Sequence, residues 1–221
     1  MAAAPSTSRL RDGVRAALPL TPGPVLFGLS FGVLAEAAGM GASAAVVMSG
    51  TTFAGSAQFA AATVLEDGGA VLAAVVSAVL LNARYAGMSV AVASIFPGGR
   101  VRRFFESQLI VDESWALSGR SGRFEWAILV GAGLLLYVLW VSSTAVGTVA
   151  GGALGEPNDL GFDAAFAALF LALAWPYLKT RQARQAAALG AVITLVLIPL
   201  APAGVPLVAA ASACLLGLRR V

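Results

Sequence analysis

The sequence predicts an all-α integral membrane protein with about six full spans, one further re-entrant or discontinuous helical segment within residues 43–96, and both termini cytoplasmic. Three observations carry this reading. Hydrophobic residues make up 59% of the 221 and charged residues only 11%, less than half the ~25% of a water-soluble domain. Mean hydropathy is +0.87, and apolar runs long enough for a ~30 Å hydrocarbon core recur from Pro24 to Leu218. The basic residues stand between those runs and form no single patch. The pI of ≈ 9.6 therefore reads as topology signalling and not as nucleic-acid binding.

The chain reads as one polytopic domain over 1–221, with a cytoplasmic tail at 1–18 and a cytoplasmic loop at 97–124. Apolar segments fall at roughly 22–38, 43–65, 69–96, 125–150, 163–178, 186–200 and 204–218. Glycine- and proline-containing turns separate them, among them Gly39-Met40-Gly41, Glu66-Asp67-Gly68-Gly69, Pro97-Gly98-Gly99 and Pro202-Ala203-Gly204. The first segment is as long as a span and others follow it, which argues against a cleaved leader. Gly28-x-x-x-Gly32 and Gly147-x-x-x-Gly151-x-x-x-Gly155 read as small-residue helix contacts. Trp140, Trp175 and Tyr177 read as interface or packing aromatics, and Pro176 as a kink or helix end.

Lysine and arginine placement sets the orientation. Arg9, Arg11 and Arg15, then Arg100, Arg102, Arg103, Arg120 and Arg123, then Lys179, Arg181 and Arg184, and finally Arg219 and Arg220 account for every basic residue except Arg84. The N-terminus and the 97–124 loop thus lie on the same side, yet three apolar segments separate them. An odd number of crossings cannot return the chain to its starting side. Either the charge rule fails at that point or one of the three enters and leaves by one face, and polar interruptions near the middle of two of them support the second. Segment 43–65 is slightly favoured, because Ser49-Gly50-Thr51-Thr52 and Gly55-Ser56-Ala57-Gln58 interrupt it, although Asn82-Ala83-Arg84 also interrupts 69–96. Irregular backbone at membrane depth survives only inside protein or beside a water-filled cavity.

Those interruptions supply the candidate solute-binding residues. A mid-span arginine costs ~2.5–3.5 kcal/mol on insertion scales, so Arg84, with Asn82, either lines a solute path or locks a helix break. Ser56 reads as an N-cap of a half-helix whose exposed N–H groups suit a solute carboxylate. Gln58 either joins it or is polar glue between helices. Asp112 and Glu113 are second-rank candidates for coupling or gating, and a solvated pair of loop charges is the plainer alternative. Glu36, near the outer end of the first segment, is a further candidate proton site or an interface residue.

The absence of histidine removes Ser-His catalysis, paired-histidine metal sites and histidine proton relays. The single Cys214 allows no intramolecular disulfide and reads as a buried thiol. No enzyme activity, metal or cofactor is expected. A passive channel, an importer, or a scaffold subunit of a transport complex remain as alternatives to an exporter.

Four ordered motifs carry a family resemblance. They are Gly28-Leu29-Ser30-Phe31-Gly32-Val33-Leu34-Ala35; Met48-Ser49 with Phe53-Ala54-Gly55-Ser56-Ala57-Gln58-Phe59; Asn82-Ala83-Arg84-Tyr85; and Val111-Asp112-Glu113-Ser114-Trp115-Ala116-Leu117. From about residue 18 onward the chain resembles the AzlC family, the large subunits of two-component branched-chain amino-acid exporters. Ala83 and Tyr85 stand where the family commonly has leucine and histidine. The resemblance implies a multi-pass protein of the bacterial cytoplasmic (inner) membrane. It also implies proton-gradient-driven export of valine, leucine and isoleucine, with methionine as an extension, and a separate small AzlD-like membrane subunit. A zwitterion with an aliphatic tail needs an anion site, an ammonium acceptor and an apolar pocket. Ser56 and Gln58, unwound carbonyls near Asn82, and alanine- and valine-rich walls are the expected suppliers.

Overall fold

The computed structural model describes residues 7–66, 68–120, 123–154 and 178–201, with isolated positions between 171 and 213. The expected segments 163–178 and 204–218, with Pro176, Tyr177, Cys214, Gly155 and the C-terminal arginines, lie outside the described residues apart from those isolated positions.

The described chain is helical. Thr7–Ala17 forms α1, so part of the expected tail is a helix. A 3-10 turn, Leu18–Leu20, leads to α2, Pro22–Ala37. Prolines 19, 22 and 24 lack the N–H that would continue α1, and the two helices are bent by 66°. Next come α3 (Ala42–Thr52), α4 (Gly55–Glu66), α5 (Val71–Asn82) and α6 (Arg84–Val92), closed by a 3-10 turn at Ala93–Ile95. The 97–124 region holds α7 (Arg100–Ser107), α8 (Asp112–Ser118) and a two-stranded ribbon, β1 (Gly119–Arg120) against β2 (Arg123–Phe124). The long α9 (Trp126–Leu154) and α10 (Arg181–Leu197) complete it. Among the described residues, Val71–Ile95 and Trp126–Ala150 are each long and apolar enough to cross a membrane. The bent pair Leu10–Leu20 and Pro22–Ala37 is a third if counted as one span.

Helix α9 is the ruler against which the rest is placed. Glycines let backbones touch it. A methyl group on Gly13 would lie 2.6 Å from the Ile128 carbonyl, and one on Gly28 2.9 Å from the Trp140 carbonyl. Gly32 abuts Thr144, and Gly147 abuts Leu29. Contacts thus advance together along both partners, so α1 and α2 run parallel to α9. By contrast Val92 and Phe96 pack with Leu129, which makes α5–α6 antiparallel to it.

Two segments reverse partway along α9. In α3, Ser49 meets Thr144, and Gly50 then meets Tyr137. The chain turns at Phe53-Ala54, and α4 climbs back past Trp140 at Gly55 to set Phe59 against Phe31. From the other end, Leu109 lies against Gly133, Val111 joins the core with Leu136, and the Ser118 carbonyl accepts the Glu125 N–H at 3.1 Å. Both turns come to the level of Leu136, about 15 Å along α9 at 1.5 Å per residue, which is near the middle of the Trp126–Ala150 stretch.

The break expected in 43–65 is therefore present at Phe53-Ala54. The interruption in 69–96 is not an unwinding. Ala83 keeps helical angles (φ −55, ψ −26), and its N–H still bonds the Val79 carbonyl at 3.0 Å.

Candidate functional site

The two reversals meet at a cavity whose wall is completed by α2, α6 and α9. Phe53, Gly55 and Ser56 come from the α3–α4 turn, and Val111, Asp112 and Glu113 from the start of α8. Arg84 and Tyr85 open α6, Pro24 and Phe27 follow the α1–α2 bend, and Leu136 and Trp140 come from mid-α9. About 50 Å³ is open to the centres of water molecules, room for a few waters.

The α3–α4 turn is held by a buried polar network. Phe53 has left-handed angles (φ 40, ψ 53), a conformation costing ~1–2 kcal/mol for a non-glycine residue. Its ring packs edge-on against Tyr137 at 5.1 Å, and the Tyr137 hydroxyl donates to the Gly50 carbonyl at 2.8 Å. Gln58 is fully buried. Its Oε1 accepts from the Ala54 N–H at 3.2 Å and from the Trp140 indole at 3.1 Å, and its Nε2 donates to Ser49 Oγ at 2.8 Å. Ser49 in turn pairs with Thr144 at 2.9 Å. An amide has the donors and acceptors this requires. Gln58 thus ties three helices together behind the turn and does not line the cavity.

Arg84 is the polar centre of the cavity. Its Nη2 donates to Ser56 Oγ at 3.0 Å and to the Tyr85 hydroxyl at 3.3 Å, and lies 2.9 Å from Asp112 Oδ2. One guanidinium thereby joins α4, α6 and α8. Ser56 is not an N-cap: its hydroxyl accepts from Arg84, and it stands second in α4. Asp112 and Glu113 occupy the first turn of α8, where carboxylates suit the positive helix end. They lie outside the spanning helices. Burial raises the Asp112 pKa, against the pull of Arg84, its own backbone N–H and Tyr85. Burial, with the Asp112 charge beside it, pushes Glu113 up to about 7.

Of the expected site residues, Ser56, Arg84, Asp112 and Glu113 are brought together. Asn82 stands at the end of α5 outside the cavity wall, its Oδ1 buried without a hydrogen-bond partner among the described residues. Glu36 is exposed near the far end of α2 and does not reach the site. Tyr85, Phe53 and Trp140 were not singled out as site residues. Trp140 is buried in the cavity wall and bonded to Gln58, which agrees with the packing alternative for this residue.

Fold and site together define a helical membrane protein with a charged centre held where two chain reversals meet. Residues 19–154 match the family described as AzlC protein. An uncharacterized membrane protein of Archaeoglobus fulgidus is 32% identical over 190 residues, covering 84% of each chain. Uncharacterized membrane proteins from two strains of Helicobacter pylori are 25% identical over 194 residues (86% and 85% covered) and 26% over 182 (80% and 79%). No solved structure matches the chain. The chain belongs to the AzlC family, a family associated with membrane transport.

Proposed function

We propose that this chain is the solute-carrying large subunit of a two-component, proton-driven exporter of valine, leucine and isoleucine, with methionine as an extension, in the bacterial cytoplasmic membrane. The observation that carries the reading is the Arg84–Asp112–Ser56 centre, with Tyr85 and Glu113 beside it, in a cavity whose remaining wall is apolar. A zwitterion can exchange for this pair charge by charge. Its carboxylate takes the place of Asp112 on Arg84, beside the N–H groups that open α4. Its ammonium takes the freed Asp112 or Glu113. The aliphatic tail lies on Phe27, Phe53, Leu136 and Trp140. Membership in the AzlC family supports a transport role; the substrate class, the proton gradient and the small AzlD-like partner are part of the proposal.

In this reading α3–α4 is a re-entrant hairpin from the outer face, and the α7–α8 region dips in from the cytoplasmic face. The spans are then α1–α2, α5–α6, α9 and the apolar segments 163–178, 186–200 and 204–218. Six crossings return the C-terminus to the cytoplasmic side of the N-terminus, in accord with the basic loops. In this reading the two turns bound the cavity from opposite faces, and transport consists of parting one and then the other.

The test is efflux of preloaded radiolabelled valine from cells lacking their own exporter, with the chain expressed alone, with an AzlD-like subunit, and with the proton gradient collapsed. Efflux that needs both chains and the gradient is the expected result. Efflux that persists down its gradient after collapse points to a passive pore. Absence of efflux for a panel of apolar amino acids, with both chains well expressed, rejects the proposal.

A further inference from the structure

Helix α7 has no buried residue, yet it is firmly oriented. At ~100° per residue, Val101, Phe104, Phe105 and Gln108 share one face, and Arg100, Arg102, Arg103 and Glu106 the other. The two faces meet α9 at different levels. Glu106 accepts from the Trp126 indole at 2.7 Å and pairs with Arg102 at 2.6 Å, while the Arg102 guanidinium lies 5.2 Å from the centre of the Trp126 ring. Trp126 is the first residue of α9. Phe104 and Phe105 instead face a groove shared with Leu134 and Tyr137, which lie about 12 and 16 Å further along α9. The helix therefore lies across α9, its charged face toward the end of the span and its apolar face toward the interior. A helix resting in a bilayer interface has this posture, and an indole at the span end belongs at the same level.

The groove has a volume of ≈ 450 Å³ and is walled by Gly50, Phe104, Phe105, Leu109, Leu134 and Tyr137. The Tyr137 hydroxyl is already bonded to the Gly50 carbonyl, and most of what the groove presents is hydrocarbon. Its depth matches the upper half of one ~30 Å hydrocarbon core. Above it, Arg100 and Arg103 are exposed and take no part in the ion pairs among the described residues. We infer that this is a site for an anionic phospholipid, with the phosphate held by Arg100 and Arg103 and an acyl chain in the groove beneath α7. A neutral lipid would fill the groove but leave the two guanidinium charges without a net counter-charge, and each is worth about fivefold in affinity for an anionic surface. The site is separate from the solute cavity and stands or falls without it.

The test uses delipidated, purified protein offered phosphatidylglycerol and phosphatidylcholine together, with retained lipid read by native mass spectrometry. The native chain is expected to retain phosphatidylglycerol in preference by about tenfold or more. R100Q/R103Q should lower that preference to near unity while still holding lipid. Leu134→Trp, at an exposed position, should reduce retention of both lipids at an unchanged melting temperature. Equal retention by the native chain, or an undiminished preference in R100Q/R103Q, overturns the inference. So does a photocrosslinker at Leu134 that captures the small membrane subunit in place of lipid.

Discussion

Arg84 on α6 and Asp112 on α8 form an ion pair at 2.9 Å, with side chains 24% and 17% exposed. The pair ties a spanning helix to the turn that enters from the opposite end of the molecule. Two charges this far from bulk water hold each other at a cost, and removing one strands the other. Arg84→Gln and Asp112→Asn are each expected to abolish valine efflux and to destabilise the protein by about 2–4 kcal/mol. Arg84→Lys should keep most of the stability but lose most of the transport, because a single ammonium lacks the planar fork that meets Asp112, Ser56 and a solute carboxylate together. Melting temperature and efflux, measured on the same preparations, separate the two effects.

Burial, with the Asp112 charge beside it, pushes Glu113 up to about 7 from the 4.5 of an ordinary glutamate. Between those values the folded protein holds a proton that the unfolded chain releases. Stability from this group therefore falls as pH rises through the window and levels off above pH ~7. The native chain should lose on the order of 1–3 kcal/mol across that interval relative to Glu113→Gln, whose profile lacks the step. Melting curves of both proteins from pH 4.5 to 7.5 check this. Parallel profiles would mean that Glu113 ionises as an ordinary surface carboxylate.

Charge counting and parity call for one reversal between the N-terminus and the 97–124 loop, and the polar interruptions at residues 49–58 are what favour 43–65 over 69–96 as its place. The Arg84 centre was legible for a related reason: a mid-span arginine cannot be left unpaired. Its partner was harder to see. Asp112 lies in a segment with the composition of a loop, and only the packing of Leu109 on Gly133 shows how deep that segment goes. For Gln58 the sequence leaves two roles open, because an amide in an apolar run suits a solute contact and helix-to-helix polar glue alike. Its neighbours Ser49, Trp140 and Thr144 are distant in sequence, and no local pattern announces a network assembled from three helices.

That network makes its own prediction. Gln58→Leu conserves much of the volume but leaves the Ala54 N–H and Trp140 indole without their acceptor and Ser49 without its donor. A loss of about 2–4 kcal/mol is expected from orphaning such buried groups. Since Gln58 stands behind the turn, efflux should fall because Phe53 and Gly55 shift, and the apparent KM for valine should change less than the maximal rate. A selective rise in KM would instead place Gln58 against the solute.

Gly147 abuts the Leu29 carbonyl, so α2 and α9 touch through backbone. Gly147→Val cannot be accommodated by a rotamer change, because the obstructing atom belongs to the partner helix. Overpacking of this kind costs about 1–3 kcal/mol and should lower the yield of folded protein. Gly87 has open space around it, and Gly87→Ala should be tolerated; equal damage at both sites would rule out close helix approach as the cause.

The re-entrant hairpin has a direct chemical test in the exposed ends of its helices. Ala42 opens α3, Ala70 precedes α5, and Gly99 precedes α7; all three are exposed. If α3–α4 enters and leaves by the outer face, single cysteines at 42 and 70 in a Cys214→Ala background react with an impermeant thiol reagent from outside. A cysteine at 99 reacts only after the membrane is opened, since α5–α6 crosses once between them. If α3–α4 instead crossed once as a kinked span, 42 and 70 would lie on opposite sides, and 42 would then share its side with 99. The labelling pattern thus distinguishes a reversal at Phe53 from a kinked span through it, whatever the solute proves to be.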